Sequence, residues 1–464
     1  MCGIIGCFSK KPFDIIEYLY RAEFMLQHRG EEGAGIAINI SDDSSAEWYV
    51  SRRVTPENEP SVASVDHLFG KITGDSSCLK FRKARMGVAQ NRYSTAGSVR
   101  TLANQQPFVE DTKLGRLALV HNGNWPYSEK TKQELKKFGI SFISNSDTEV
   151  ILKLIAKSPK NNILDAIKEA LAEVDGGFSI IIMTEHELIA VRDRYGTRPL
   201  CLGQFEDGYT LASESVAFAA LGKDFQTNFV REVEPGEIII INRDGLFSEK
   251  LDVEVCEKKC VFELIYFSRP SSMIFGWGVS GFRRKLGNKD AKNFPFIVDK
   301  IVPVLDSGSW YGIGLGEGLG VPYEPALERT HYVGRSFIMP EDKKRNDTIR
   351  MKHNPIKDLF YQQRIGFSED SIVRSHTSRQ IISMVKNCQP KEMYMGVSSP
   401  PIKHPCRSGI DLKTYQELIA AYLSVDDIQS QVGLDGLHYL SLETLQEVAG
   451  PDYCYACLDG KYPF

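Results

Sequence analysis

The chain has 464 residues, of which 42% are hydrophobic and 25% are charged, and its net charge is −4. This length exceeds one ordinary hydrophobic core and predicts two domains, while the charge balance excludes a broad basic surface for nucleic acid. No apolar run approaches the roughly 20 residues of a transmembrane helix, and no secretion signal is recognised, so we expect a cytoplasmic protein that acts without a membrane.

The first half of the chain contains predicted strands and two clear helices. Apolar residues recur at helical spacing over 15–27 and 147–158, and Asp147 opens the second helix, where an acid suits the helix dipole. The segments GRLALVHNGN, GFSIIIMTEHELIAVRD and GEIIIINRDGL are β-branched runs with turn residues between them, which is typical of sheet.

From about residue 260, short apolar strands alternate with helical stretches, which predicts a parallel α/β sheet. Ligands of such sheets bind at the carboxyl ends of strands, and the segments VLDSGS and SEDSIVRSHTS lie where strands should end. The strand QQRIGFS is less apolar than a buried parallel strand should be. We set the domain boundary within 235–265, with domains at 2–250 and 251–464.

Cys2 directly follows the initiator methionine. Removal of Met1 would expose a residue with both a thiol and a free α-amine, and an α-amine pKa near 8 leaves a useful unprotonated fraction at neutral pH. Such a residue combines nucleophile and general base without a separate histidine. Taken alone, it could equally be an ordinary cysteine near a terminus.

Six motifs then follow in order: MCGIIGCF, LQHRGEEGAGIAI, NRYSTAGS, LVHNGN, SNSDTEV and DGGFSIIIM. Over about the first 240 residues this series resembles the class II glutamine amidotransferases, N-terminal-nucleophile (Ntn) hydrolases that release ammonia from glutamine. The resemblance implies a four-layer αββα fold with Cys2 as the catalytic nucleophile.

The same resemblance implies roles for further residues. Asn122 and Gly123 would form an oxyanion hole, because an amide and a backbone N–H stabilise the charge that develops on an attacked carboxamide. Arg92 would bind the α-carboxylate of glutamine, and Asp147 would bind its α-ammonium group. Arg29 would form part of the wall of the glutamine pocket.

Without the resemblance, Arg92 could be a surface ion pair and HNGN a simple hairpin turn. The chain also departs from the family pattern. Gln90 and Asn91 stand where a His-Val or His-Thr pair is usual, and Glu31 stands where glutamine is common. These departures concern the positioning of glutamine and leave the nucleophile intact.

The second half resembles the phosphoribosyltransferase domain of amidophosphoribosyltransferases, a type I fold. Those enzymes make 5-phosphoribosylamine from glutamine and phosphoribosyl pyrophosphate (PRPP), the first committed step of purine synthesis. The matching motifs include CVFELIYFSRPSS, SSPPIKHPC, DLKTYQELIA and LDGKYPF, so the two resemblances together span the chain. They imply Mg²⁺ as cofactor, purine nucleotides as inhibitors and a homotetramer.

The resemblance places PRPP between two strand ends. Asp306, Ser307 and Gly308 match a pyrophosphate loop, where small residues let backbone N–H groups approach an anion. Glu369 and Asp370 match acids that bind the ribose hydroxyls, and together with Ser307 they would hold Mg²⁺.

Two further loops complete the implied PRPP site. Arg335 would bind pyrophosphate from a flexible loop in which Arg329-Thr330-His331 replaces the usual Lys-Asn-Arg. The 5′-phosphate would bind ahead of a helix starting near Ser378, on the loop formed by Arg374, Ser375, His376, Thr377 and Ser378.

Ser375 and His376 replace a glycine and a threonine of the family pattern. Serine costs free energy there if the backbone needs a positive φ, and histidine is bulkier than threonine. Four alternatives therefore stay open: retained PRPP chemistry, amination of another phosphosugar or specialised metabolite, a silenced transferase site, or a nucleotide-sensing module without catalysis.

Four cysteines form a further candidate site: Cys260, Cys406, Cys454 and Cys457. By spacing alone they could bind zinc or an iron–sulfur cluster, form a redox dithiol, or remain free thiols. The resemblance to the Bacillus-type branch implies a structural 4Fe–4S cluster on these four residues. Five other cysteines fit no such pattern and are expected to be ordinary thiols: Cys7, Cys78, Cys201, Cys256 and Cys388.

Overall fold

The computed structural model describes residues 1–41, 46–55, 64–93, 101–223, 225–330 and 353–464. In the first half the described strands are β1 (Gly3–Asp14), β2 (Gly33–Ser41), β3 (Ala46–Val54), β4 (Lys83–Arg92), β5 (Phe108–Thr112), β6 (Gly115–Asn124), β7 (Gly177–Met183), β8 (Leu188–Arg192), β9 (Cys201–Phe205), β10 (Gly208–Ala212), β11 (Asn228–Glu232), β12 (Glu237–Asn242) and β13 (Gly245–Lys250). The described helices there are α1 (Ile15–Met25), α2 (Ser64–Gly74), α3 (Ser128–Lys137), α4 (Asp147–Lys157), α5 (Ile163–Ala172) and α6 (Val216–Ala219).

The two predicted helices are present because each has an apolar face and a capped start. Asp14 accepts a hydrogen bond from the Glu17 backbone N–H and caps α1, which ends at Met25 before a 3₁₀ turn over Gln27–Arg29. Ser146 caps α4 in the same way.

The strands of this half form two stacked antiparallel sheets. Their orders are β11-β9-β10-β1-β4-β2-β3 and β13-β12-β8-β7-β6-β5. The layer between the sheets is apolar and includes Ile4, Val88, Val120 and Ile181, all without exposed surface. Helices α1 and α2 pack on the outer face of the first sheet, and α4 and α5 on that of the second. The expected four-layer αββα fold is confirmed.

In the second half the described strands are β14 (Lys259–Cys260), β15 (Met273–Ile274), β16 (Trp277–Gly278), β17 (Lys300–Pro303), β18 (Leu327–Arg329), β19 (His353–Pro355), β20 (Arg364–Glu369), β21 (Glu392–Val397), β22 (Gly436–Tyr439) and β23 (Tyr453–Cys454). The described helices there are α7 (Val279–Asp290), α8 (Ser309–Leu319), α9 (Lys357–Phe360), α10 (His376–Lys386), α11 (Val425–Val432), α12 (Leu442–Ala449) and α13 (Ala456–Asp459), with a π-helical turn at Glu263–Phe267.

A parallel sheet of order β17-β20-β21-β22 forms the centre of this half, as the alternating pattern predicted. Strand β20 lies inside the sheet, and Ile365 and Phe367 have no exposed surface. The polar look of QQRIGFS has a simple origin, since its two glutamines precede the strand, which starts at Arg364.

The predicted domain boundary falls between regular elements. Strand β13 ends at Lys250, and residues 251–258 have no helix or strand before β14 begins at Lys259. The exact boundary stays a prediction. Among the described helices none is long and apolar enough to span a bilayer.

Candidate active sites

Cys2 lies directly before β1, in the middle of the first sheet, and its side chain is buried. Its backbone N–H donates to Asn122 Oδ1 at 3.2 Å, and its Sγ lies 3.7 Å from the Tyr93 carbonyl oxygen. Met1 is buried as well, and burial lowers the pKa of its α-amine to about 6. The environment of this chain end therefore favours a neutral amine.

Asn122 contacts Cys2 from β6 of the second sheet, and Gly123 is the next residue of that strand. The Asn122 Nδ2 group is buried and has no hydrogen-bond partner among the described residues. A Cβ atom at position 123 would lie 2.3 Å from the Gly177 carbonyl oxygen, so the backbone there accepts only glycine. The structure brings together the nucleophile and an unpaired amide donor, as an oxyanion hole requires.

Arg92 and Asp147 border the same site. Arg92 ends β4 and is buried, and burial lowers the pKa of its guanidinium while the nearby charges of Cys2, Glu32 and Asp147 oppose that shift. Asp147 starts α4, and its Oδ2 accepts a hydrogen bond from the Trp125 N–H at 2.9 Å. Arg92 therefore lies near both Cys2 and Asp147, and the roles of Arg92 and Asp147 as glutamine ligands stay predictions.

The departures at Gln90 and Asn91 have structural partners. Asn91 Oδ1 accepts a hydrogen bond from the Gly3 N–H at 3.0 Å, and its Nδ2 donates to the Glu23 carbonyl at 3.1 Å. Gln90 Oε1 accepts a hydrogen bond from Gln105 Nε2 at 3.0 Å. Asn91 thus holds the backbone beside Cys2 in place, a task that a valine side chain could not perform.

Arg29 lies directly behind the nucleophile. Its side chain is fully buried, its Nε donates to the Cys2 carbonyl at 3.0 Å, and its Nη2 donates to Glu263 at 2.7 Å. Its Nη1 pairs with Glu214. Because these carboxylates engage its charge, Arg29 supports the Cys2 backbone from behind, and its place in the wall of the glutamine pocket stays a prediction.

A buried ionic network that the sequence analysis missed surrounds Arg29. Glu263 also accepts hydrogen bonds from Ser268 Oγ at 2.8 Å and from Arg198 Nη1 at 3.3 Å. Glu214 accepts one from Ser272 Oγ at 2.7 Å. The network joins the two halves of the chain behind Cys2. Its sequence signal is a lone acid, Glu263, inside the apolar run CVFELIYF, since a buried charge requires a partner.

The predicted pyrophosphate loop and acidic pair meet at the carboxyl ends of β17 and β20. Ser307 Oγ hydrogen-bonds the Asp370 carboxylate, and a Cβ at Gly308 would lie 2.1 Å from the Ser368 carbonyl. Glu369 is buried, and burial followed by the charge of Asp370 raises its pKa well above the ordinary value. Asp306 is exposed and pairs with Arg329.

The predicted 5′-phosphate loop precedes α10. Ser375 has φ +59° and is buried, so the left-handed backbone that the sequence analysis considered is present. Helix α10 begins at His376, two residues before the predicted start; His376 and Thr377 are exposed while Ser378 is buried. Arg374 pairs with Glu417 at 3.0 Å. Arg335 lies outside the described residues.

The four candidate cysteines gather at one place. Cys260 and Cys454 pair in the short parallel ladder of β14 and β23, and the N–H groups of Lys403 and His404 donate to the Cys457 carbonyl at 3.0 and 3.1 Å. Burial, and after it the charge of Cys260, raises the pKa of the Cys454 thiol to about 12.

The cysteines outside Cys2 and the four candidate ligands form no disulfide. None of the ten cysteines forms a disulfide. Of the five that belong to neither site, Cys256 is exposed and four are buried: Cys7, Cys78, Cys201 and Cys388. Across the described residues no three His, Cys, Asp or Glu side chains have the arrangement of ligands to a metal ion.

Fold and site together define a glutamine amidotransferase joined to a phosphoribosyltransferase-type domain. Residues 90–220 match the family model described as a glutamine amidotransferase domain. The chain is 37% identical to the amidophosphoribosyltransferase of Methanocaldococcus jannaschii, covering all of this chain and 98% of that protein. It is 37% identical to the Bacillus subtilis amidophosphoribosyltransferase, covering all of this chain and 94% of that protein.

A solved structure agrees with these relatives. The B. subtilis glutamine PRPP amidotransferase, complexed with ADP and GMP, superposes with a TM-score of 0.87 at 36% identity, over all of this chain and 97% of that one. The chain belongs to the amidophosphoribosyltransferase family. The expected family and enzyme class are confirmed, and the alternatives of another acceptor or a non-catalytic module gain no support.

Proposed function

We propose that Cys2, Asn122 and Gly123 perform the glutaminase half of a reaction that converts glutamine, PRPP and water to glutamate, 5-phosphoribosylamine and pyrophosphate. The observation behind this assignment is the buried Asn122 Nδ2 group, which lacks a partner among the described residues while Oδ1 of the same side chain holds the Cys2 backbone. A buried unpaired donor costs about 1–3 kcal/mol, and a substrate oxyanion would satisfy it.

The first half-reaction proceeds on Cys2 after Met1 is removed. The Cys2 amine accepts the thiol proton, and the sulfur attacks the carboxamide carbon of glutamine. Asn122 Nδ2 and the Gly123 N–H stabilise the tetrahedral oxyanion. The protonated Cys2 amine then returns its proton to the carboxamide nitrogen, so that ammonia leaves as the C–N bond breaks and a thioester remains. Water then hydrolyses the thioester to glutamate and restores the thiol.

The second half-reaction joins that ammonia to C1 of PRPP and releases pyrophosphate. Asp306, Ser307 and Gly308 would receive the pyrophosphate, and Glu369 with Asp370 would hold the ribose hydroxyls. The contact of Ser307 with Asp370 supports this assignment, because it brings the pyrophosphate loop and the ribose acids to one place.

Mg²⁺ would be held by Ser307, Glu369 and Asp370 together with the pyrophosphate of PRPP. Such an ion neutralises charge on the leaving group. The raised pKa of Glu369 fits a site that a cation would complete, since burial, and after it the charge of Asp370, disfavours the Glu369 carboxylate.

Two observations support a 4Fe–4S cluster on Cys260, Cys406, Cys454 and Cys457. Arg198 is fully buried, and its Nε and Nη2 have no hydrogen-bond partner among the described residues. Burial lowers the pKa of its guanidinium, but the charges of Cys260, Glu263 and Cys406 outweigh that effect and raise it. A cluster with anionic sulfurs would satisfy these donors, and its chemistry here would be structural, joining segments distant in sequence.

Regulation, assembly and location complete the proposal. Purine nucleotides would inhibit this enzyme, because the related B. subtilis structure contains ADP and GMP. We assign the active form to a cytoplasmic homotetramer, in keeping with the family.

The test measures product formation in wild-type protein and in Asn122→Ala. Loss of the oxyanion donor should reduce glutamine-dependent phosphoribosylamine formation by about 10²–10³-fold, while formation from ammonium salts and PRPP continues. Equal activity of the two proteins with glutamine would overturn the assignment of Asn122. No product from PRPP with either nitrogen source would overturn the whole proposal.

A further inference from the structure

A loop of the second domain contacts the first domain beside the candidate oxyanion hole. This segment, Cys406–Asp411, is called the docking loop below. Its Arg407 carbonyl accepts a hydrogen bond from Asn124 Nδ2 at 2.7 Å. Its Asp411 Oδ2 accepts one from Tyr93 Oη at 3.3 Å. Tyr93 is also the residue whose carbonyl oxygen lies near Cys2 Sγ.

The middle of the docking loop lies against the oxyanion residue itself. A Cβ atom built on Gly409 would lie 3.0 Å from the Gly123 carbonyl oxygen and 3.5 Å from Asn124 Cβ. Gly409 has φ +102°, so glycine satisfies both the backbone conformation and the close approach. The loop therefore packs on Gly123 without a side chain between the two backbones.

The sulfur of Cys406 organises the docking loop from the other side. Cys406 Sγ accepts hydrogen bonds from the N–H groups of Ser408 at 3.3 Å and Ile410 at 3.4 Å. The Cys406 N–H donates to the Leu412 carbonyl at 2.8 Å. The loop thus spans the short distance between a cysteine sulfur in one domain and the oxyanion strand in the other.

We propose that the docking loop is a positioning element for glutamine hydrolysis, which links the placement of Gly123 to the sulfur of Cys406. Its contacts with the first domain given above are to Tyr93, Gly123 and Asn124, and none of these is to Cys2 Sγ. The docking loop holds residues 122–124 of β6 where the oxyanion forms. A change at the site formed by Cys260, Cys406, Cys454 and Cys457 would therefore alter the rate of the reaction at Cys2. This inference rests on the proposed roles of Asn122 and Gly123.

Gly409→Ala tests the proposal against a matched control, Gly450→Ala. Gly450 has nearly the same φ, +104°, but a Cβ there would meet nothing within 4 Å. Both variants add a side chain at positive φ, and only Gly409→Ala presses on Gly123. We expect Gly409→Ala to lower kcat with glutamine by about tenfold at nearly constant KM, less than the full loss of a donor. Gly450→Ala should keep wild-type kcat.

Two readouts separate positioning from general damage. Alkylation of Cys2 by iodoacetamide and product formation from ammonium salts should be unchanged in Gly409→Ala, because neither uses the oxyanion hole. Hydrogen exchange in a peptide covering 117–125 should be faster in Gly409→Ala and in Cys406→Ser. The exchange rate of this peptide should stay unchanged in Cys388→Ser, which removes a buried thiol that is not one of the four candidate cluster ligands.

Asn124→Ala carries the test if Gly409→Ala or Cys406→Ser fails to fold. It removes the 2.7 Å contact with Arg407 and should also lower kcat, whereas Asn162→Ala, which removes the cap of α5, should lower stability alone. Wild-type kcat in Gly409→Ala and Asn124→Ala, with Asn122→Ala still inactive, would overturn the docking-loop proposal and spare the proposed function. Full glutamine activity in Asn122→Ala would overturn the proposed function, and this inference with it.

Discussion

Ser375 has a left-handed backbone conformation near the start of the predicted 5′-phosphate loop. We expect Ser375→Gly to relieve the strain that this conformation imposes on a serine. A left-handed residue other than glycine costs about 1–2 kcal/mol, while glycine adds about 0.5–1 kcal/mol of chain entropy to the cost of folding. Ser375 has φ +59°, and its side chain makes no capping hydrogen bond to α10 that would offset the strain. The variant should therefore gain between zero and about 1.5 kcal/mol in free energy of unfolding.

Ser375→Gly should also strengthen the binding of PRPP. Without a Cβ the backbone N–H groups at the start of α10 can approach a phosphate more closely. KM for PRPP should therefore fall by about three- to tenfold, which corresponds to one ordinary hydrogen bond of about 0.5–1.5 kcal/mol. Gln362→Gly is the matched control, because Gln362 has φ +57° but lies outside the site. Steady-state kinetics with varied PRPP and denaturant unfolding should show similar stability gains and a lower KM in Ser375→Gly alone. An equal KM in both variants would refute the reasoning.

Three further predictions concern the rest of the molecule. Cys2→Ser should lose glutamine-dependent product but keep the ammonium-dependent rate in a coupled assay, and loss of both rates would contradict separate sites. Arg198→Met should make the reduction potential of the reconstituted cluster more negative and its bleaching in air faster, because a nearby positive charge is lost. Optical titrations should show an unchanged potential and an unchanged bleaching rate in the control Arg283→Met, which removes another buried arginine. Burial alone would raise the pKa of Glu214, but basic neighbours hold it well below its ordinary value, so its contribution is complete above about pH 4.3 and lost as the pH falls further. Unfolding midpoints of wild type should accordingly fall more steeply below pH 5 than those of Glu214→Gln, and parallel curves would contradict this.

Local motifs predicted the parts of the fold and site that depend on nearby residues. The apolar periodicity of 147–158 gave the bounds of α4 almost to the residue, because cap and apolar face lie within the helix itself. The conformational cost of serine at position 375 could also be predicted. The family pattern has glycine at this position, which indicates a positive φ, and Ser375 has a positive φ in the structure.

Long-range partners could not be predicted in this way. Arg29 contacts Glu214 and Glu263, which are 185 and 234 residues away, so its motif could not reveal that carboxylates occupy its guanidinium. The contact of Asn124 with Arg407 spans 283 residues and involves a carbonyl group, which has no sequence signature. Only the isolated acid within an apolar run signalled that such a network exists.

A ¹⁵N transfer experiment tests most directly the proposal that ammonia released at Cys2 reacts with C1 of PRPP. The protein, matured to expose Cys2, is incubated with PRPP, Mg²⁺ and glutamine labelled with ¹⁵N at the amide, and the phosphoribosylamine is trapped and analysed by mass spectrometry. We expect a ¹⁵N-labelled product in wild type and none in Cys2→Ser. Glutamate release without labelled phosphoribosylamine would contradict it.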